Sequence, residues 1–155
     1  LLSGKVILVV DDEPDILETV KEILEQCRIE TAGSFAGAKI LLETRPYDMA
    51  VLDIMGVKGV DLLQVAVGKQ IPSVMLTAPG LTPEYILKCM ELGATSYLPK
   101  EDITKLDQLL EELFEIMASG RSARSHTMRR LELWLDEHLG HTWRIKYGKL
   151  WEDCR

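Results

Sequence analysis

Val6-Ile7-Leu8-Val9-Val10-Asp11-Asp12-Glu13-Pro14 is the stretch that decides the fold. Five consecutive apolar residues stop at three acids and a proline. An unbroken apolar run this short, bounded by turn chemistry, reads as a strand buried on both faces. Pro14 suits the first turn of a helix, and the acids around it complement the helix dipole. Ile16, Leu17, Val20, Ile23 and Leu24 then repeat at helical spacing. The stretch therefore predicts a strand, an acidic turn and a helix.

The same grammar recurs down the chain. Met49-Ala50-Val51-Leu52 ends in Asp53, Ser73-Val74-Met75-Leu76 ends at Thr77, and Ser96-Tyr97-Leu98-Pro99 ends at Lys100. Ile29 to Ala32 reads as a further, less buried strand. Between the strands lie helical patterns. Ser34 is placed to cap one with an apolar face of Phe35, Ala38, Leu41 and Leu42, which Pro46 ends. Val60 to Val67 is closed by Gly68. Thr82-Pro83-Glu84 looks like an N-cap, an N1 proline and a first-turn acid for a helix that stops at Gly93. Leu106, Leu109, Leu110, Leu113, Phe114 and Met117 mark the last helix after Lys100. Gly56–Gly59 and Ala78-Pro79-Gly80 read as loops. Five β-α units joined by right-handed crossovers predict an α/β fold with one parallel sheet.

Ligands of such sheets bind outside the carboxyl ends of the strands. Asp11, Asp12, Asp53, Thr77 and Lys100 all fall there. Three carboxylates, a hydroxyl and an ammonium suit a divalent cation and a phosphoryl group. Magnesium takes oxygen ligands, commonly one or two carboxylates plus phosphate oxygens. A carboxylate that attacked a phosphoryl donor would form an aspartyl phosphate. Positioning and charge stabilisation are most of what that chemistry needs. The plainer readings are capping acids, a satisfied strand-end hydroxyl at Thr77, a solvated Lys100, and Gly56 and Gly59 as turn glycines only. Buried strand ends seldom hold three acids without purpose, because burying charge is costly.

The chain has 155 residues and a formal net charge of −7. That suits one domain with an appendage. Residues 1–118 carry net −10 and residues 119–155 net +3. An acidic body argues against nucleic acid as its main ligand. Cys27, Cys89 and Cys154 have no metal-binding spacing and read as reduced thiols of a cytoplasmic protein. No apolar stretch approaches a membrane span, and no signal peptide is visible. The chain begins at Leu1, so a few native residues are expected to be missing.

Ser119 to Ser125 reads as a polar, basic linker. Met128, Leu131, Trp134, Leu135, His138 and Leu139 predict one face of a further helix, ended by Gly140. Trp143, Tyr147 and Trp151 suggest another helical turn or two. The division expected is 1–118 for the α/β unit and 119–155 for a linker and helical tail. The tail's apolar surface predicts packing back on the body, dimerisation or a partner. Arg121, Arg124, Arg129 and Arg130 read as a solvated linker and helix start.

The segments VILVVDDEP, DMAVLDIM, VMLTA and GATSYLPK together resemble a bacterial response regulator receiver domain, over about residues 4–118. The resemblance implies a flavodoxin-like, doubly wound sheet of order 2-1-3-4-5 with helices on both faces. It implies that Asp53 accepts a phosphoryl group from a histidine kinase or histidine phosphotransfer protein. Asp12 would bind Mg²⁺ directly, Asp11 mainly through water, with Asp53 and the backbone carbonyl of Met55 completing the site. Thr77 and Lys100 would contact the phosphoryl group, and Tyr97 would turn inward as Thr77 moves. The output would be a shift of the face built from the last two strands and helices, and the protein would be a signalling switch rather than an enzyme.

Three departures from the family pattern stand out. Glu101 follows Lys100 where Pro is usual, so that bond is expected to be trans. The loop after Asp53 lacks a Pro and is about one residue shorter. The positions that tune phosphoryl lifetime are Met55 and Pro79, neither of which orients a water, so self-dephosphorylation is expected to be slow. A half-life of seconds, unchanged by a polar substitution at Met55, would contradict that.

Other readings are separable. Haloacid-dehalogenase-like phosphatases need a second Asp two residues after the first. Glu13 or Pro14 stands there, and turnover of a generic phosphomonoester would be the revealing result. A non-phosphorylated interaction module is marked by the shortened loop and predicts no Mg²⁺ binding. A basic nucleic-acid arm predicts binding lost steeply with salt. The 37 residues after Ala118 are too few for a DNA-binding or enzymatic effector of about 60–100 residues. The chain thus reads as a single-domain regulator or the receiver portion of something longer.

Overall fold

Each predicted apolar run is a strand in the computed structural model, which describes residues 2–79 and 82–154. The strands are β1 Val6–Val10, β2 Arg28–Ala32, β3 Met49–Asp53, β4 Ser73–Thr77 and β5 Ser96–Pro99. All neighbours pair in parallel, in the order β2-β1-β3-β4-β5. The helices are α1 Pro14–Ile23, α2 Phe35–Thr44, α3 Gly59–Gly68, α4 Pro83–Glu91, α5 Leu106–Ala118, α6 Ala123–Leu139 and α7 Trp143–Cys154. Leu1, Gly80, Leu81 and Arg155 lie outside the described residues, so the expected Ala78-Pro79-Gly80 loop and the last residue of the 119–155 tail are described only in part.

The sheet separates two apolar layers, and strand alternation assigns residues to them. Leu8, Val10, Leu52 and Met75 face α2, α3 and α4. Ile7, Val9, Val51, Val74 and Leu76 face the other side, with α1 and α5. Strands β3 and β4 are buried throughout, and β1 from its second residue on, which is why those runs show no polar alternation. Edge strand β2 stays partly exposed, and Glu30 and Thr31 stand in it. The register sets Val10 beside Leu52, Asp53 beside Leu76 and Thr77 beside Pro99, so the strand ends meet on one edge.

Local chemistry explains several boundaries. Ser34 Oγ accepts the Gly37 N–H at 3.2 Å and caps α2. Arg45, forced extended by Pro46, ends that helix. Gly93 has φ +111°, and a Cβ there would lie 2.9 Å from Val67 Cγ2, so only glycine fits the close of α4. Thr82 is extended and Pro83 opens α4, but the Thr82 side chain makes no capping bond, unlike the expected N-cap. No cis peptide occurs among the described residues, so Lys100–Glu101 is trans as expected. Nor is any described helix long and apolar enough to cross a membrane.

The C-terminal residues differ from expectation in four ways. Lys100–Lys105 forms a 3-10 turn, with Asp102 off helical geometry, before α5 begins. Helix α6 starts inside the expected Ser119–Ser125 linker, where Ser122 Oγ accepts the Ser125 N–H. Its buried row is Ala123, Thr127, Leu131 and Leu135 with Met128, whereas Trp134 and Leu139 are 41% exposed and His138 is exposed. The polar Thr127 disguised that row in the sequence. The aromatic repeat extends to a full 12-residue helix, α7.

Candidate functional site

Asp11 follows β1 directly, and its N–H donates to the Ala32 carbonyl at 3.2 Å. Its carboxylate is fully buried. Oδ1 accepts the Glu13 N–H at 2.9 Å, a side-chain turn that leads the chain into α1. Asp53 closes β3, is 3% exposed, and accepts the Gly56 N–H on Oδ2 at 3.1 Å. Lys100 leaves β5 and reaches between the two. Its Nζ is 3.0 Å from Asp11 Oδ2, 3.2 Å from Asp53 Oδ1 and 3.6 Å from Glu13 Oε1.

Burial pushes the Asp11 carboxyl above its ordinary pKa of 3.8, against the pull of the Glu13 N–H and Lys100. Burial also opposes the Lys100 ammonium. Hydrogen bonds and charge from Asp11 and Asp53 outweigh it and hold the lysine above its usual value. Lys100 is therefore a fixed cation in an acid-rich pocket.

Asp12 lies exposed beside this pair. Asp11, Asp12 and Glu13 each offer a carboxylate oxygen within 4.8 Å of the others. With Asp53 there are four carboxylates to one ammonium, and an all-oxygen donor set of that charge fits a hard divalent cation. Glu13 was not among the residues singled out from sequence. Its signal was the third acid in a row, read there only as helix-opening chemistry. Met55, on the turn after Asp53, keeps its side chain 59% exposed.

Gly56 is more than a turn residue. A Cβ there would lie 2.5 Å from Asp12 Oδ1 and 2.6 Å from Asp53 Oδ2. The short loop thus lays bare backbone against both carboxylates. A Cβ on Gly59 would collide with the Asp53 carbonyl, so α3 starts in contact with the end of β3.

Thr77 ends β4 and is buried; Tyr97, in β5, is partly buried. Both line a cavity of about 630 Å³ that Arg130 and Trp134 of α6 close from the tail side. Burial raises the Tyr97 phenol, and the Arg130 charge partly offsets it. Asp11, Asp12, Asp53 and Lys100 are therefore brought together, Thr77 stands at the same sheet edge, and Tyr97 lies behind it toward α6.

Comparison with known proteins bears on this arrangement. The family model for the response regulator receiver domain matches residues 7–113. Response regulator GtcR of Aneurinibacillus migulanus is 28% identical over 84% of this chain and 59% of its own length. Transcriptional regulatory protein CpxR of Escherichia coli K12 is 37% identical over 61% of this chain and 42% of its own. The chain thus spans about two fifths to three fifths of these relatives. Among solved structures, the Francisella response regulator 1452 receiver domain superposes with a TM-score of 0.66 at 26% identity, covering 74% of this chain and 99% of that one.

Proposed function

Because this chain belongs to the response regulator receiver family, we propose that Asp53 accepts a phosphoryl group from a histidine kinase or histidine phosphotransfer protein and that this switches the chain's contacts with a partner. The observation that carries this reading is the Lys100 ammonium held against Asp11 and Asp53 at the closed end of the acidic cluster. An Asp53 oxygen attacks phosphorus as the P–N bond to the donor histidine breaks. The electron pair stays with the imidazole nitrogen, which takes a proton, and Asp53 becomes an acyl phosphate.

Asp11, Asp12, Asp53 and the Met55 carbonyl would hold Mg²⁺, with Glu13 in reach of the same cluster. When bound, Mg²⁺ supplies positive charge against the phosphoryl oxygens. Lys100, already held against Asp53, would neutralise charge on the transferred group, and the Thr77 hydroxyl would donate to it. Residues 1–118 form the acceptor unit, 119–155 a tail that answers to it, and the setting is the cytoplasm. Phosphoryl acceptance, not turnover of a substrate, is the activity. The test is incubation with phosphoramidate and Mg²⁺ followed by borohydride reduction. Homoserine at position 53 is expected, and homoserine elsewhere or nowhere would contradict the assignment.

One observation favours a second reading, a non-phosphorylated docking module. The Gly56 N–H already occupies Asp53 Oδ2, and the short loop crowds the pocket. A folded chain that binds no Mg²⁺ would support it.

A further inference from the structure

Strand β5 is an edge of the sheet, and an open edge invites a partner. Here the chain covers it with its own C-terminal residues. Thr127 Oγ1 of α6 donates to the Thr95 carbonyl, just before β5, at 2.8 Å. His126 Nε2 lies 2.5 Å from Glu112 Oε1 on α5. Helix α7 buries Trp143 and Trp151, edge to face, in the layer that contains α4. Cys154 Sγ donates to the Leu87 carbonyl of α4 at 3.1 Å. Arg124 Nη2 reaches both the Met90 carbonyl of α4 and the Cys154 carbonyl of α7. So α4, β5 and α5 each have a tail partner.

A cavity remains under this cover on the side of Thr77, at the sheet edge that carries the acidic site. The 630 Å³ cavity beneath Arg130 and Trp134 opens onto Tyr97 and Thr77. Tyr97 packs in the same apolar layer as Leu131 and Leu135 of α6. A change at Thr77 therefore has room to move Tyr97, and moving Tyr97 removes a surface on which α6 rests.

We propose that residues 123–154 are an internal occupant of a helix-docking surface formed by α4, β5 and α5, released when Asp53 is phosphorylated. The inference rests on the phosphoacceptor reading above. A dianionic group on Asp53 draws the Thr77 hydroxyl toward it, Tyr97 moves into the cavity, and α6 loses contacts in one state that it keeps in the other. That differential contact is what a population shift requires. The surface then becomes available to a helical segment of a partner protein, which competes with the tail.

The tail carries its own reporters, since Trp134, Trp143 and Trp151 are the only tryptophans in the chain. The experiment is hydrogen exchange and tryptophan fluorescence on the full chain in Mg²⁺, with and without beryllofluoride, whose binding is followed separately by ¹⁹F NMR. Bound beryllofluoride with about five-fold or greater loss of protection across 123–154, while β1 and β3 are unchanged, is expected. Bound beryllofluoride with unaltered tail protection would overturn the latch and leave the phosphoacceptor reading intact. No beryllofluoride binding in the folded chain would overturn both. A reciprocal arm uses Thr127→Val, which removes the bond to Thr95 and keeps the side-chain shape. By linkage it should tighten beryllofluoride binding several-fold, about as much as it loosens the tail. Unchanged affinity with a loosened tail would also overturn the coupling.

Discussion

The Lys100 ammonium lies 3.2 Å from Asp53 Oδ1, and the same nitrogen lies 3.0 Å from Asp11 Oδ2. One cation from the end of β5 thus links acids from the ends of two other strands. Replacing it by alanine leaves two buried carboxylates facing each other. Lys100→Ala should lose about 3 kcal/mol of stability in chelator, the cost of breaking a buried pair. Urea unfolding checks this, and Mg²⁺ should restore part of the loss. A change below about 0.5 kcal/mol would place the lysine in the exposed-pair class instead.

Asp11 sets a pH dependence with a definite sign. Its carboxyl is raised by burial above 3.8, so the folded chain keeps a proton that the unfolded chain has lost. The stability tied to that proton is complete below the unfolded value and lost as pH rises through the folded one. In chelator, Asp11→Asn should therefore gain Tm relative to the parent as pH rises above the unfolded carboxyl's 3.8. Mg²⁺ should shrink the gap, because the cation stabilises the ionised parent. A gap independent of pH and of Mg²⁺ would contradict this.

Gly56→Ala inserts a methyl between Asp12 and Asp53. The turn must shift to accept it, and the acids must part. The expected result is about a ten-fold or greater loss of Mn²⁺ affinity, the scale seen when support around a metal site is disturbed, with the fold retained. Paramagnetic titration and circular dichroism read the two separately. Unchanged affinity would show that the loop yields freely.

Arg124→Ala removes a guanidinium that accepts no substitute for its reach to the ends of both α4 and α7. Charge-assisted hydrogen bonds of this kind contribute about 1.5–3 kcal/mol. Thermal unfolding followed by tryptophan emission should show the loss, with α7 amides exchanging faster. If α7 stays protected, the buried tryptophans and the Cys154–Leu87 hydrogen bond suffice to hold it on α4.

Most of the acidic cluster could be read in the sequence because its side chains stand at the ends of apolar runs. Strand ends are a local signal, and the parallel register then brings them together. Glu13 escaped because an acid after Asp12 has a sufficient local reason at a helix start. The space around Gly56 escaped because a glycine's meaning depends on what crosses in front of it, and that is tertiary. Arg124 looked solvated for the same reason, since its two carbonyl partners lie 34 and 30 residues away in sequence. The tail stripe was legible at Met128, Leu131 and Leu135, which are buried, but not at Thr127, which is polar yet buried, nor at Trp134, which is apolar yet exposed.

The most direct test of the central claim is intact-mass spectrometry after incubation with acetyl phosphate, with and without Mg²⁺, beside Asp53→Asn. One phosphoryl adduct that needs Mg²⁺ and disappears in the variant is expected. No adduct on a folded chain, or an adduct that survives Asp53→Asn, would contradict it.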